Sequence, residues 1–236
     1  MQKILYRSFT RGFVDHGWLK SYHTFSFADY HNPERMGFGL LRVFNDDVIE
    51  KSTGFGMHSH RNMEIISVPI YGELRHEDSM GNRFVIRKNE IQKMSAGAGV
   101  VHSEYNNSES ESANFLQIWI LPKKNNIDPF YGQKSYDEAL KKNRIQYVVA
   151  PDERDGAIWM NQNAFVSLAN LDKEKELDYK VNYEGNGVFV FIIAGEAEIE
   201  GETLKERDAL GLSGKEVFNI RATKTTELLF IEVPMK

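Results

Sequence analysis

The sequence predicts an all-β protein: two tandem β-domains of the barrel or sandwich kind, joined by a short linker helix. Three stretches carry that reading. From Gly37 to Leu121, short β-branched or aromatic runs are broken by turn residues, as in GFGLLRVFNDD, MEIISVPIYGELRHEDSMGNRFVI and NFLQIWILP, which is the signature of closely spaced strands. Between Pro122 and Arg144 the composition shifts to PKKNNIDPFYGQKSYDEALKKNR, rich in Pro, Asn and Lys and poor in β-branched residues. After Ile145 the β pattern returns in IQYVVAP, AFVSLANL, GVFVFIIAGEAEIEGE, DALGLSG and TELLFIEVP.

Taken in order, the first domain is expected over residues 1–130 and the second over 131–236. Within the first, Met80-Gly81-Asn82 separates two strand-like runs, and a Gly/Asn tight turn there predicts a hairpin. In the linker, Ser135 followed by Glu138 has the spacing of a capping box. Asp137 and the pair Lys141 and Lys142 sit at the ends that the helix dipole favours, so one short helix is expected. The two halves also share an order of apolar strand, turn, polar strand and acidic turn, seen in ISVPIYGELRHED and VFIIAGEAEIEG. That order suggests a duplicated unit.

Composition narrows the function classes. A chain of 236 residues can hold two compact domains of roughly 100–150 residues, each with its own core. Hydrophobic residues at 41% and charged residues at 27% are ordinary globular values. The net charge of −5 and the lack of a Lys/Arg run remove the electrostatic footprint of a nucleic-acid binder. With no cysteine, disulfides and zinc-thiolate sites are excluded, and any metal must be held by nitrogen and oxygen. Lys3, Arg7 and Arg11 interrupt the amino-terminal apolar stretches before they reach the about 7–15 residues of a signal core. No segment approaches the ~20 apolar residues of a membrane span, and a cytoplasmic location is expected.

The chemistry is concentrated in two short segments. GFGMHSHRNMEIIS places His58 and His60 two apart in an expected strand, and residues i and i+2 of a strand project from one face. GAGVVHSEYNN repeats the spacing with His102 and Glu104 after a glycine-rich turn. If the two strands are neighbours with these faces turned inward, three imidazoles and a carboxylate converge. All seven histidines lie in the first 102 residues, so the second domain lacks borderline donors and a single metal site is expected. Three neutral imidazoles and a carboxylate suit Fe(II), Mn(II), Ni(II) or Cu(II), with Co(II) and Zn(II) also compatible. Six-coordinate geometry leaves two open positions.

These residues resemble the pirins, two-domain members of the cupin superfamily, and the bacterial branch with quercetinase activity fits best. The segments HTFSFADYHNPERMGFGLLRVFNDD, GFGMHSHRNMEIISVPIYGELRHEDSMGNRF and KMSAGAGVVHSEYN carry the resemblance, while the carboxy-terminal half is similar mainly in pattern. The resemblance implies two cupin-type jelly-roll domains, the second free of metal. It implies ligation by His58, His60, His102 and Glu104, and iron as the first choice of ion. It further implies a flavonol dioxygenase that takes a flat aromatic substrate and O2, opens the central ring and releases carbon monoxide, with Glu104 as the base that accepts the 3-hydroxyl proton. The alternative in the family is an iron-bearing regulator acting through a protein partner. A sugar isomerase or epimerase of the cupin type is disfavoured by the donor set.

Two departures from the broader cupin pattern stand out. Glu64 occupies the place where a general cupin carries its glutamate ligand. Fully extended it would lie ~13 Å along the strand from His60, against ~7 Å between His102 and Glu104, so Glu104 is preferred. A proline usual in the second cupin motif is Gly97 here. Phe38, Leu40, Phe55 and Met63 are candidates to line an apolar pocket, with plain core as the favoured role. His16, His23 and His31 are expected to make structural hydrogen bonds. His76 is expected to be solvated, and Arg61 and Glu77 to be surface charges.

Overall fold

A computed structural model describes residues 1–236. It contains twenty-two strands arranged in four sheets and no helix longer than a single 3-10 turn. No helix is long and apolar enough to cross a membrane. One seven-stranded sheet runs in the order β12 (Phe130–Ser135), β9 (Glu90–Ser95), β6 (Glu64–Tyr71), β11 (Ala113–Ile120), β4 (Leu41–Ile49), β3 (Leu19–His23), β2 (Gly12–Asp15). Its companion has four strands, β5 (Gly54–His60), β10 (Val100–Asn106), β7 (Glu73–Asp78) and β8 (Arg83–Arg87).

The carboxy-terminal half repeats this arrangement. Its seven-stranded sheet runs β1 (Gln2–Tyr6), β20 (Ala209–Ser213), β17 (Asn186–Ala194), β22 (Thr226–Pro234), β15 (Phe165–Leu171), β13 (Gln146–Ala150), β14 (Ile158–Trp159). Its four-stranded sheet is β16 (Glu176–Lys180), β21 (Val217–Ala222), β18 (Glu196–Ile199) and β19 (Glu202–Lys205). Each half is a jelly-roll sandwich of one large and one small sheet rather than a closed barrel.

Strand pairing crosses the middle of the chain. β1 pairs antiparallel with β20, with Ile4 opposite Gly211, so the first strand completes the edge of the carboxy-terminal sheet. β12, which begins at the expected 130/131 boundary, pairs with β9 and fills the corresponding edge in the amino-terminal sheet. The Met80-Gly81-Asn82 turn does join β7 and β8 as a hairpin. The linker helix forms as a 3-10 turn over Glu138–Lys141, and its cap differs from the expected box. Asp137 is the N-cap and accepts from the Ala139 amide, while Ser135 belongs to β12. An Asx cap two residues before the bonded amide satisfies an orphan N–H that Ser135 is too far back to reach.

The apolar core lies mainly between and behind the large sheets. A cluster of 26 buried residues joins Phe44, Ile66, Leu116 and Ile118 of the first half to Val166, Phe189, Phe191 and Ile231 of the second. A second cluster of 16 fills the carboxy-terminal sandwich. The amino-terminal sandwich holds a cluster of only five, Leu19, Ile49, Leu74, Ile86 and Phe115. A further cluster of four holds Ile65, Met94, Ala96 and Val100, and much of the remaining interior is polar, including the buried His23, His76 and His102.

Candidate metal centre

β5 and β10 are antiparallel neighbours, and their register puts His58 directly opposite His102 and His60 opposite Val100. A bulge follows between His102 and Glu104, with Glu104 paired to Phe55, so β5 carries one extra residue and twists locally. Alternation along each strand turns His58, His60, His102 and Glu104 to one face. The ring centroids of His58 and His102 are 4.4 Å apart, those of His58 and His60 4.7 Å, and those of His60 and His102 4.9 Å. One ligand atom from each of these three imidazoles falls within 4.8 Å of the others. Glu104 stands in an overlapping cluster of the same dimension with His102 and His76.

The donors are prepared for a cation. His58 Nδ1 donates to the Gly56 carbonyl at 2.8 Å, which leaves its Nε2 as the free lone pair. His102 Nε2 is buried without any hydrogen-bond partner, an orphan that coordination would satisfy. Burial first, then the neighbouring His102 and His58, pushes His60 down to about 4, with Glu104 opposing. Burial first, then His58 and His76, pushes His102 down to about 3, with Asp78 opposing. Both rings are therefore neutral at physiological pH, the form that binds metal. Glu104 is buried, and its Oε2 accepts from Gln117 Nε2 at 2.7 Å. The Ser67 hydroxyl lies 3.0 Å from both Glu104 Oε1 and Gln117 Oε1. A carboxylate offers about four lone-pair sites, so acceptor capacity remains. The donor set fits one divalent transition ion.

Glu64 does something else. Its Oε2 lies 2.5 Å from Lys93 Nζ and accepts from Ser95 Oγ at 2.9 Å and from the Asn161 backbone amide at 3.1 Å. Lys93 also donates to Ser95 Oγ and sits about 5 Å from the Phe130 and Trp159 ring centres. Glu64 is thus a buried tie between the halves and belongs to neither ligand cluster. Gly97 has φ +48°, and a Cβ there would lie 2.1 Å from the Ile127 carbonyl oxygen. Proline, locked near φ −65°, is excluded at that position.

Other sequence expectations divide. Phe38 lies in the core between the large sheets, with Leu40 packed against the same cluster; Phe55 and Met63 pack against small apolar clusters of the first half. Of these four only Phe55 comes near the centre, with its ring 6.4 Å from His58. Of the three histidines expected to make structural bonds only His23 does, to Asn45 Oδ1 at 2.9 Å; His16 and His31 are exposed, where water satisfies their rings. Arg61 is exposed and holds Asn126 Oδ1 at 2.9 Å. The expectation that His76 is solvated is corrected: it is fully buried, with Nε2 3.0 Å from Asp78 Oδ2 and its ring 5.3 Å from that of His102. The signal was present, because His-x-Asp at 76 and 78 has the same i, i+2 spacing as the two ligand pairs. Trp119 also went unnoticed; its ring lies 4.8 Å from His60 and 5.3 Å from Phe27. A groove of about 410 Å³ has Ser59, His60, Ser79, Gly99 and Val101 among its lining residues.

Comparison with known proteins agrees with this architecture. The pirin family model matches residues 5–120, and the model of the quercetinase C-terminal cupin domain matches residues 147–233. The chain is 40% identical over 224 residues to the quercetin 2,3-dioxygenase of Escherichia coli K12, covering 95% of both proteins. The chain belongs to the pirin family. Among solved structures, that of YhhW from Escherichia coli superposes with a TM-score of 0.95 at 38% identity, covering 99% of this chain and 98% of the other. The structure described as the bacterial pirin YhhW in complex with nickel(II), from the same organism, superposes with a TM-score of 0.94 at 37% identity, covering 99% of each. Pirin membership accounts for the tandem jelly rolls.

Proposed function

We propose that this pirin is a metal-dependent dioxygenase of the quercetinase type, which opens the central ring of a flavonol with O2. The observation that carries the proposal is the convergence of His58, His60 and His102 from two paired strands, with the Glu104 carboxylate alongside. In this reading those four side chains hold one divalent ion. Iron(II) is the preferred choice, because imidazole and carboxylate donors with open positions suit oxygen activation. The nickel(II) bound to the related Escherichia coli protein supports a divalent site without fixing the native metal. The ion would supply acidification of a coordinated hydroxyl and an electron partner for dioxygen.

The protein's own contribution is positional. Gln117 and Ser67 hold the Glu104 carboxylate by its two oxygens, so that it can accept the 3-hydroxyl proton of a flavonol without searching rotamers. Trp119 supplies an apolar ring beside His60, with Phe27 packed edge-on against it, suited to a flat ring. In the overall reaction two carbon–carbon bonds of the central ring break, both atoms of O2 enter products, and one ring carbon leaves as carbon monoxide. The named relatives called quercetin 2,3-dioxygenase support this class of substrate.

The test is anaerobic loading with Fe(II), followed by oxygen uptake and carbon monoxide release with quercetin. Uptake stoichiometric with substrate is expected. Glu104→Gln, which preserves shape and removes the base, should lower turnover by about 100-fold or more with little change in thermal stability. Metal-loaded protein that consumes no oxygen with any flavonol would overturn the proposal.

A further inference from the structure

His76 on β7 lies opposite Glu104 on β10, and Asp78 lies opposite His102. Both are buried. Asp78 is fixed by the turn that follows it: its Oδ1 accepts from the Met80 amide at 2.9 Å and the Asn82 amide at 3.1 Å, and Asn82 Nδ2 reaches Oδ1 at 3.1 Å and Oδ2 at 2.9 Å. An ionised carboxylate only accepts, so the 3.0 Å contact to its Oδ2 requires a proton on His76 Nε2. With the Gln92 amide nitrogen, a donor, turned towards it, His76 Nδ1 carries a lone pair. That atom lies 3.4 Å from Gln92 Nε2 and 3.5 Å from His102 Nδ1. Two lone pairs facing each other would repel, so the proton between the rings belongs to His102 Nδ1. The remaining lone pair of His102 is on Nε2, the buried atom with no partner.

We propose that Asp78 and His76 are positioning residues that fix His102 as its Nδ1–H tautomer, leaving Nε2 as the atom that meets the metal. This deepens the metal reading of His58, His60 and His102 and rests on it. A carboxylate that orients a ligating imidazole is a general device of metal sites. Here the device is one residue longer, a carboxylate acting through a second imidazole. It also explains a buried His–Asp pair in an interior that needs no further charge.

Substitution of one atom reverses the chain. In Asp78→Asn the turn amides still require an oxygen at Oδ1, so the new NH2 faces His76 Nε2. His76 must then carry its proton on Nδ1, and His102 is driven to the Nε2–H form, with hydrogen on the ligand atom. The experiment is nitrogen-15 NMR of the imidazoles in the metal-free protein, together with nickel(II) affinity by competition with a chromophoric chelator. The parent protein should show His76 protonated on Nε2 and His102 on Nδ1. Asp78→Asn should invert both assignments and weaken nickel binding by about 10–100-fold, in a protein that still folds but loses some metal-free thermal stability, because Asn82 Nδ2 gives up its 2.9 Å bond to Oδ2 and keeps only Oδ1. His76→Gln can donate to Asp78 and accept from His102, and should stay close to the parent, whereas His76→Leu should not.

A parent His102 protonated on Nε2 overturns the inference even if no variant folds. So does Asp78→Asn with unchanged tautomers and affinity. If folded His76→Gln loses nickel as completely as His102→Ala does, His76 is itself a ligand and the inference falls. Failure of the parent to bind nickel or iron, with the tautomers as stated, would instead remove the metal reading.

Discussion

The two halves of the chain share a strand order, yet the same place in each sandwich is filled by opposite chemistry. In the first half β5 and β10 bring His58 opposite His102. In the second, the corresponding strands β16 and β21 bring Tyr179 opposite Phe218, with the rings stacked at 5.3 Å. Tyr179 stacks on Phe230 at 5.0 Å as well, within a cluster of 16 buried apolar residues. The second half spends its interior on stability. The first leaves its interior polar, with Gln117, Ser67, Gln92, Asn45 and Asp47 buried around the imidazoles, and draws its apolar support from the sheet-to-sheet core that it shares with its neighbour. A polar interior is tolerated because another domain supplies burial.

The strongest way to break that comparison is to remove one imidazole. His58→Ala should abolish tight metal binding, weakening it beyond the about 100-fold that loss of a group hydrogen-bonded to a ligand costs. The fold should survive, because His58 is only half-buried and carries none of the core. Metal content after gel filtration, set beside far-UV circular dichroism, measures both. Undiminished metal would show that the three rings do not form the site. The mirror experiment is Phe218→Ala in the second half, which should cost about 3–5 kcal/mol of stability and leave metal content per folded protein unchanged. Denaturant unfolding checks it, and a loss below about 1 kcal/mol would mean that the aromatic stack is not the second half's keystone.

What was readable beforehand follows the range of the forces involved. His58/His60 and His102/Glu104 stand out as candidates because the strand period is local, and the hairpin at Gly81 declares itself because turn chemistry is local. Glu64 could not be read, since its partner Lys93 is 29 residues away and the Asn161 amide that completes its shell lies 97 residues away in the other half. β1 gave no sign that it would join β20, roughly 200 residues distant, because edge pairing uses backbone groups common to every sequence. Gly97, a departure from the broader cupin pattern, is a steric requirement set by Ile127, a contact 30 residues along the chain. His76 and Asp78 had the right spacing, but a single His-x-Asp is indistinguishable from chance until β7 is known to flank β10.

A smaller effect tests the polar interior by its titration. Asp47 is buried and pushed up to about 7, by burial first; the Ser21 hydroxyl bond lowers it, and the charges of Asp46 and Glu104 raise it. The unfolded chain releases this proton near 3.9, so between about pH 4 and 7 the folded state holds a proton that the unfolded state has shed. Stability from this group therefore declines as pH rises through that window. His60 and His102 act oppositely: with folded values of about 4 and 3 against ~6.5 unfolded, the unfolded chain takes up protons first on acidification. Their contribution in the metal-free protein is full above about pH 6.5 and is lost as pH falls towards 4. Asp47→Asn removes only the first trend. It should stabilise the metal-free protein more at pH 8 than at pH 5, and equal effects at both would show that Asp47 is ionised throughout.

The smallest expected change returns to the second half. Glu232 is buried there and takes Tyr179 Oη at 3.1 Å, Asn182 Nδ2 at 2.8 Å, Asn186 Nδ2 at 2.9 Å and the backbone amides of Asn182 and Tyr183 at 3.0–3.1 Å. The same buried charge that in the first half would await a cation is here neutralised in effect by neutral donors. Removing one of several donors costs less than removing the only one, because the others keep the carboxylate solvated within the protein. Tyr179→Phe keeps the stacked ring and deletes only the hydroxyl, so a loss of about 1 kcal/mol is expected in denaturant unfolding. A loss of 3 kcal/mol or more would mean that Glu232 depends on that single bond, and that the second interior is as electrostatically exposed as the first.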